Sequence, residues 1–264
     1  MKSRNLNFMK ESFFMRMKVL REYKSNLYSG LLASTGFSLV LLLFFSTFSN
    51  QFSIILNWTY KDYLFAIIIS QFTALLFGSL AYGLSLSREL LDGNLNVYLT
   101  KPISVFLQQL NNTFLEEVII ISPIYFFLLI IYLIFIYPEF SFVRLFISMI
   151  FICFAGILFI TTMRMFDSFA FFIKHFDLGH LYMQSFYETF DIYPAIMFKN
   201  TLKLISFFFA NAYYGARVTE YFMGRTDFDT LLMYLAFILV LIIVCIVVIF
   251  MNWKIGLKKY EAFG

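Results

Sequence analysis

Long uninterrupted apolar runs alternate with short polar clusters along this chain. Five runs stand out: Leu27–Phe48, Tyr63–Ser87, Val118–Pro138, Leu145–Met163 and Thr230–Trp253. None contains a charged side chain. Each reaches the length of about 20 residues that a helix needs to cross a hydrocarbon core about 30 Å thick. In lipid the backbone must satisfy its own polar groups, so only helices or a closed barrel can span. The runs are continuous rather than alternating in polarity, which predicts helices and not barrel strands.

Composition agrees with this reading. The chain of 264 residues is 61% hydrophobic and 14% charged, against about 25% charged in an ordinary soluble domain. That leaves no room for a sizeable water-soluble domain, and residues 1–264 read as one membrane domain. The 38 Phe residues are spread through the runs, as expected of lipid-facing and helix-packing positions. Cys153 and Cys245 lie in different runs. They predict neither a structural disulfide nor a metal site.

Charge orients the runs. Lys2, Arg4, Lys10, Arg16, Lys18, Arg21 and Lys24 precede the first run, and Lys254, Lys258 and Lys259 follow the last. Cytoplasmic loops of membrane proteins carry an excess of Lys and Arg, so both tails are predicted to be cytoplasmic. Two cytoplasmic tails require an even number of crossings, and the five clear runs are odd. A sixth crossing is therefore expected within residues 178–222. Its best stretch, Leu202–Phe222, contains Lys203, Arg217 and Glu220, whose polar groups must snorkel, pair or face protein. Residues 49–62, 139–144 and 223–229 then fall outside, and 88–117 and 164–177 inside.

Residues 1–26 interleave Phe8, Phe13, Phe14, Met17 and Leu20 with bases. A secretory signal has one basic region followed by one apolar block. This pattern instead predicts an amphipathic helix lying at the cytoplasmic membrane surface. No internal repeat is visible. The chain has no GxxxxGK[ST] phosphate loop, no HExxH and no GxSxG. His175 and His180 are five apart and do not share a helix face. Glu116 and Glu117 open the third run, where the helix dipole favours acids. Ion-driven carriers need a buried acid or base for their coupling ion, and the five clear runs offer none. Energy for any transport is therefore expected to come from outside the membrane part.

The segment Leu86-Ser-Arg-Glu-Leu-Leu-Asp-Gly-Asn-Leu-Asn-Val-Tyr-Leu-Thr-Lys-Pro-Ile-Ser104 follows the second run. Asp92-Gly93-Asn94 within it is a strong turn signal. Here the chain resembles permease subunits of the type-two (ABC-2-like) class of ABC exporters, whose loop between spans two and three reads roughly E-x-x-x-G-x-L-x-x-x-L-x-[RK]-P. Glu89, Gly93, Leu95, Leu99, Lys101 and Pro102 stand at those positions. Leu20–Lys24, Phe169–Phe172, Tyr193-Pro194 and the tail Trp253-Lys-Ile-Gly-Leu-Lys-Lys-Tyr260 are similar to one subgroup of about this length, in the same order. One departure is Ala210-Asn211-Ala212, where the family often has a proline.

The resemblance implies an all-α integral membrane protein with six spans and an N-terminal interfacial helix. The spans would lie at about 27–48, 63–87, 118–138, 145–163, within 178–222, and 230–253. Residues 88–117 would form a cytoplasmic loop carrying a coupling helix. The subunit would not itself be an enzyme and would carry no cofactor. It would pair with a second permease, identical or related, in the cell membrane. The pair would dock two cytoplasmic ATPase subunits, which bind ATP and magnesium. No nucleic-acid partner is expected. A stand-alone carrier or channel, or a membrane-embedded enzyme or assembly scaffold, are the competing readings. A carrier would respond to an ion gradient, and an enzyme would need catalytic groups facing one side.

Overall fold

The computed structural model of the chain describes residues 10–11, 14–15, 18, 22, 24–56, 58–78, 81, 86–91, 95–101, 105, 108, 122–173, 201, 205–210 and 212–259. Every regular element among them is helical. Helix α1 is Lys24–Leu56. Helix α2 is Tyr60–Thr73, continued by a π turn over Ala74–Gly78. Two short helices follow, α3 (Leu86–Leu91) and α4 (Leu95–Leu99). Helix α5 is Ser122–Ile131, continued by a π turn over Tyr132–Ile136. Helix α6 is Phe142–Ser168, closed by a 3-10 turn at Phe169–Phe171. A π turn over Tyr213–Arg217 leads into the short α7 (Val218–Phe222), and α8 is Phe228–Lys259.

Helix boundaries follow local chemistry. Thr59 and Asp62 form a reciprocal capping box that starts α2. The first helix runs on to Leu56, so the connection expected over 49–62 shrinks to a few residues before Tyr60. Asn50, Gln51 and Ser53 are polar but do not break a helix, which extends past the apolar run. At the end of α5, Tyr137 leaves the helical region (φ −132°, ψ 64°), as a residue before proline tends to do. The Ser141 side chain then accepts from the Arg144 N–H and caps α6. Gly224, at φ +75°, terminates α7 in the left-handed conformation that favours glycine. The N–H of Arg225 donates to the Glu220 carbonyl at 2.8 Å there.

Among the described residues, three stretches are long and apolar enough to cross a membrane: Tyr60–Gly78, Phe142–Phe171 and Phe228–Lys258. Their roles differ. The most apolar window of the first is 67% buried inside the protein, and that of the last only 11%. Helix α2 is thus central and α8 peripheral. Polarity follows position: Ser70, Gln71 and Thr73 of α2 are buried, while Leu239, Val240, Ile243 and Phe250 of α8 are exposed. A continuous outward-facing apolar surface on a helix of membrane-spanning length fits contact with lipid. The chain is an integral membrane protein.

The core is largely aromatic. Phe65 of α2 stacks on Phe222 of α7 at 4.3 Å between ring centroids. Phe45 of α1 stacks on Tyr63 of α2 at 4.3 Å. Such pairs contribute about 0.5–1.5 kcal/mol beyond area burial. Between α1 and α5, the Ser38 and Tyr125 hydroxyls share a 2.7 Å hydrogen bond.

Contacts sort the connections into two ends. At one end Asp62 pairs with Arg225, the Tyr132 hydroxyl donates to the Lys61 carbonyl, and the Arg144 guanidinium lies against Gly224. At the other, Leu86 bonds Asp167, Asn252 donates to Ser168, and the Phe171 ring packs on Trp253. The connections predicted to be external meet at the first end. Those predicted to be internal meet at the second.

Between residues 178 and 222, where a sixth crossing is expected, the described residues are 201, 205–210 and 212–222. Residues 201, 205, 206 and 212 are helical, and the others form turns, the π turn and α7, with no helix of spanning length among them. Of the expected interfacial helix, residues 10–11, 14–15, 18 and 22 are described. They are helical and exposed.

Gly156 of α6 lies against the Phe77 ring of the π turn that continues α2, where any Cβ would overlap the ring. Gly156→Leu is expected to cost about 1–3 kcal/mol by overpacking. It should lower the thermal unfolding temperature in detergent, and adding Phe77→Ala should recover part of the loss. A single variant as heat-stable as the wild type would show that the helices do not meet there.

Candidate functional site

The segment with the most specific sequence pattern forms a small two-helix unit at the α6 C-terminal end. Helix α3 packs on the Phe169–Phe171 turn and on α6. Its first residue is fixed by one polar contact: the Leu86 N–H donates to Asp167 Oδ2 at 3.3 Å.

Within the unit, the Tyr98 hydroxyl donates to Glu89 Oε1 at 3.1 Å, tying α4 to α3. Gln108 Nε2 donates to the Tyr98 carbonyl at 3.0 Å, and Lys101 Nζ lies 5.7 Å from the Tyr98 ring centroid. Tyr98 therefore braces the unit. Glu89 is half-buried and holds Tyr98 rather than standing free as a surface charge. Leu95 is fully buried, while Leu99 is 44% and Val97 52% exposed. A five-residue helix set at its N-terminal end against the protein buries its first residue and frees its last. Lys101 is exposed. Gly93 and Pro102 lie outside the described residues.

A second feature lies deeper. Arg217 is 1% exposed. Its guanidinium carbon stands 4.3 Å from the Phe207 ring centroid, 4.5 Å from Tyr213 and 4.9 Å from Tyr234. One terminal nitrogen donates to Ser206 Oγ at 2.9 Å. Nε and Nη1 have no hydrogen-bond partner among the described residues. Tyr234 lies six residues inside α8, about 9 Å from its first residue at 1.5 Å per residue. A charge at such depth is costly unless it faces protein. Three aromatic faces offset part of that cost, each by roughly 0.5–2 kcal/mol. The Tyr213 hydroxyl donates to the Phe207 carbonyl at 2.7 Å, so Arg217 and Tyr213 together fold the 206–217 stretch back on itself against α8.

A third feature joins the opposite end. Asp62 is buried and Arg225 half-buried, and their side chains pair directly. Asp62 Oδ2 also accepts from the Thr59 hydroxyl at 2.9 Å. The Arg225 guanidinium lies 5.7 Å from the Trp58 ring. The pair fastens the α1–α2 connection to the α7–α8 connection. It binds and orients; it holds no catalytic arrangement. Among the described residues no three His, Cys, Asp or Glu side chains gather as metal ligands would.

Sequence reasoning marked Arg217 as an intruder in an apolar stretch but not its cage. It missed Tyr98, Asp167 and Asp62 as organising residues. Asp167 had a readable signal, an acid three residues after Arg164 at the end of an apolar run. Tyr98 had none, because its partner Glu89 is nine residues away across a turn.

Breaking a buried ion pair at one partner strands the other and costs about 3–5 kcal/mol. Arg225→Ala is expected to destabilise by an amount in that range, tempered by the partial exposure of Arg225. Asp62→Asn/Arg225→Gln should recover much of it, measured as thermal shift in a double-mutant cycle. Additive single and double effects would mean that the two residues do not act as a pair.

The family model described as ABC-2 family transporter protein matches residues 36–264. The match takes in helices α2 to α8 and α1 from Gly36 onward. No curated protein and no solved structure matches the chain.

Proposed function

Given that the chain belongs to the ABC-2 family of transporter proteins, we propose that it is the membrane-spanning subunit of an ATP-driven exporter, powered by separate cytoplasmic ATPase subunits. It works as a pair of permeases, each with six crossings, the fifth within 178–222. Both tails are cytoplasmic, so the end that carries Leu86, Asp167 and Trp253 faces the cytoplasm. ATP and magnesium are bound by the ATPase partner.

The observation that carries this reading is the two-helix unit. It is braced internally by Glu89 and Tyr98. It is joined to a spanning helix through Asp167, and it presents Val97, Leu99 and Lys101 outward. A partner that grips the exposed side moves Leu86, and Leu86 is bonded to α6. Leu95 anchors the unit, and Glu89 keeps it rigid. Apolar residues exposed on a cytoplasmic loop suit a hydrophobic groove on a partner. The same arrangement leaves a stand-alone carrier without a use for the loop.

Val97→Asp/Leu99→Asp should leave membrane insertion and thermal stability near wild type, because both side chains are exposed. Co-purification of the ATPase and ATP-dependent transport should fall at least about tenfold, the effect of losing roughly 1.4 kcal/mol of binding. Normal docking and normal transport in this variant would refute the assignment of the loop. The orientation is checked separately: a reporter active only outside the cytoplasm, fused after Gly264, should stay silent in the full-length, inserted protein. Strong reporter activity would reverse the topology.

A further inference from the structure

A buried guanidinium with no carboxylate partner does little for stability. Replacing a buried charge by an apolar side chain of similar volume is often neutral or stabilising. Among the described residues no Asp or Glu pairs with Arg217, and Glu220, three residues on, forms no ion pair with it. Ser206 takes one terminal nitrogen. The ring faces of Phe207, Tyr213 and Tyr234 offset part of the charge. The Nε and Nη1 N–H groups still lack an oxygen among the described residues. An ionisable residue placed inside a membrane protein in this way marks a functional position by default.

An apolar groove ends one ring away from it. The N-terminal halves of α6 and α8 enclose about 210 Å³, lined by Ile147, Ile150 and Phe151 on one side and Leu231, Leu232 and Leu235 on the other. Ile150 and Leu232 are exposed, so the groove opens to the lipid. Its inner wall is the buried Phe151. The Phe151 ring centroid stands 6.2 Å from that of Tyr213, which stands 6.2 Å from that of Tyr234. Tyr213 thus separates the groove from Arg217. The bond from its hydroxyl to the Phe207 carbonyl, at 2.7 Å, holds it there.

We propose that the groove and Arg217 form a binding site for an anionic amphiphile that enters from the lipid. Its alkyl chain lies in the groove, and its carboxylate or phosphate reaches Arg217 when the Tyr213 ring turns aside. The two parts call for the two halves of such a molecule. The groove lining is wholly apolar. The guanidinium lacks both a counter-charge and acceptors, and an oxyanion supplies both, in charge-assisted hydrogen bonds. A cationic amphiphile is repelled by Arg217, and a neutral alcohol brings one oxygen and no charge. In the arrangement described the door is shut, since Arg217 is 1% exposed. The Tyr213–Phe207 bond is the one that has to break. The site does not rest on the transport reading.

The test uses the full chain in phosphatidylcholine nanodiscs, with no ATPase and no transport, so its failure leaves the transport reading untouched. The probes are dodecyl phosphate with a photoreactive diazirine at the chain end and dodecanol with the same group. Labelled positions are mapped by peptide mass spectrometry. At equal low loading, the phosphate should label Phe151 and Leu231–Leu235 about tenfold more than the alcohol, the scale of one charge-assisted hydrogen bond. Arg217→Met should bring the two probes to parity, with a thermal unfolding temperature no lower than that of the unsubstituted chain. Tyr213→Phe keeps the ring but loses the bond to Phe207, and should raise labelling by the phosphate about threefold. Excess phosphatidylglycerol distinguishes the source: competition identifies a bilayer lipid as the occupant, its absence a single-chain amphiphile, and the site stands in both cases. Equal labelling by the two probes in the unsubstituted chain would overturn the proposal. So would a phosphate preference that survives Arg217→Met. Loss of folding in Arg217→Met, with no effect of Tyr213→Phe on labelling, would make Arg217 purely structural and equally overturn it.

Discussion

Lipid tails are as apolar as leucine, so a bilayer gives no hydrophobic reward for bringing two apolar helices together. Everything that holds this fold together has to come from shape, aromatic contact and the few polar groups present. That constraint accounts for the placement of the polar residues. Ser70, Gln71 and Thr73 sit on the central helix, buried in protein. Ser38 and Tyr125 bond across α1 and α5. Gly156 lets α6 approach the Phe77 ring closely enough for dispersion contacts to count.

The same constraint explains why charges appear at the ends and in one enclosed place. Asp62 with Arg225, and Arg164 with Asp167, lie where the helices leave the apolar layer. Arg217 is the exception. It remains at depth because Phe207, Tyr213 and Tyr234 present their ring faces to it and Ser206 accepts one of its hydrogen bonds. The interrupted helix around it follows. The π turn over Tyr213–Arg217 shifts the side-chain register, and π turns of this kind recur at functional positions.

Helix α6 connects the two ends. It has 27 residues, about 40 Å at 1.5 Å per residue. Arg144 at its start rests on the turn that closes α7, and Asp167 at its other end holds the two-helix unit. A displacement of that unit is therefore applied to a rod whose far end touches the residues beside the Asp62–Arg225 pair. In the proposed exporter this is a direct mechanical path between the ATPase side and the outer connections.

The apolar runs alone determined that the chain lives in a membrane, that it is helical and approximately where the long helices lie. Hydrocarbon demands a minimum length of uncharged residues, and that demand is written locally. The ordered pattern from Glu89 to Pro102 likewise pointed to the family. Tertiary structure decided what local sequence does not encode. Helix ends moved by several residues because capping by Thr59, Asp62 and Ser141 sets them, not hydropathy. Leu95 is buried and Leu99 exposed because only the start of α4 lies against the rest of the protein, a relation between distant segments. Glu89 became a brace for the same reason. Arg217 is tolerated only because residues 206–213 and Tyr234 come from either side of it in sequence to form one cage. Spacing along a chain reports which residues can share a face; only the packed structure brings together the residues that satisfy a buried charge.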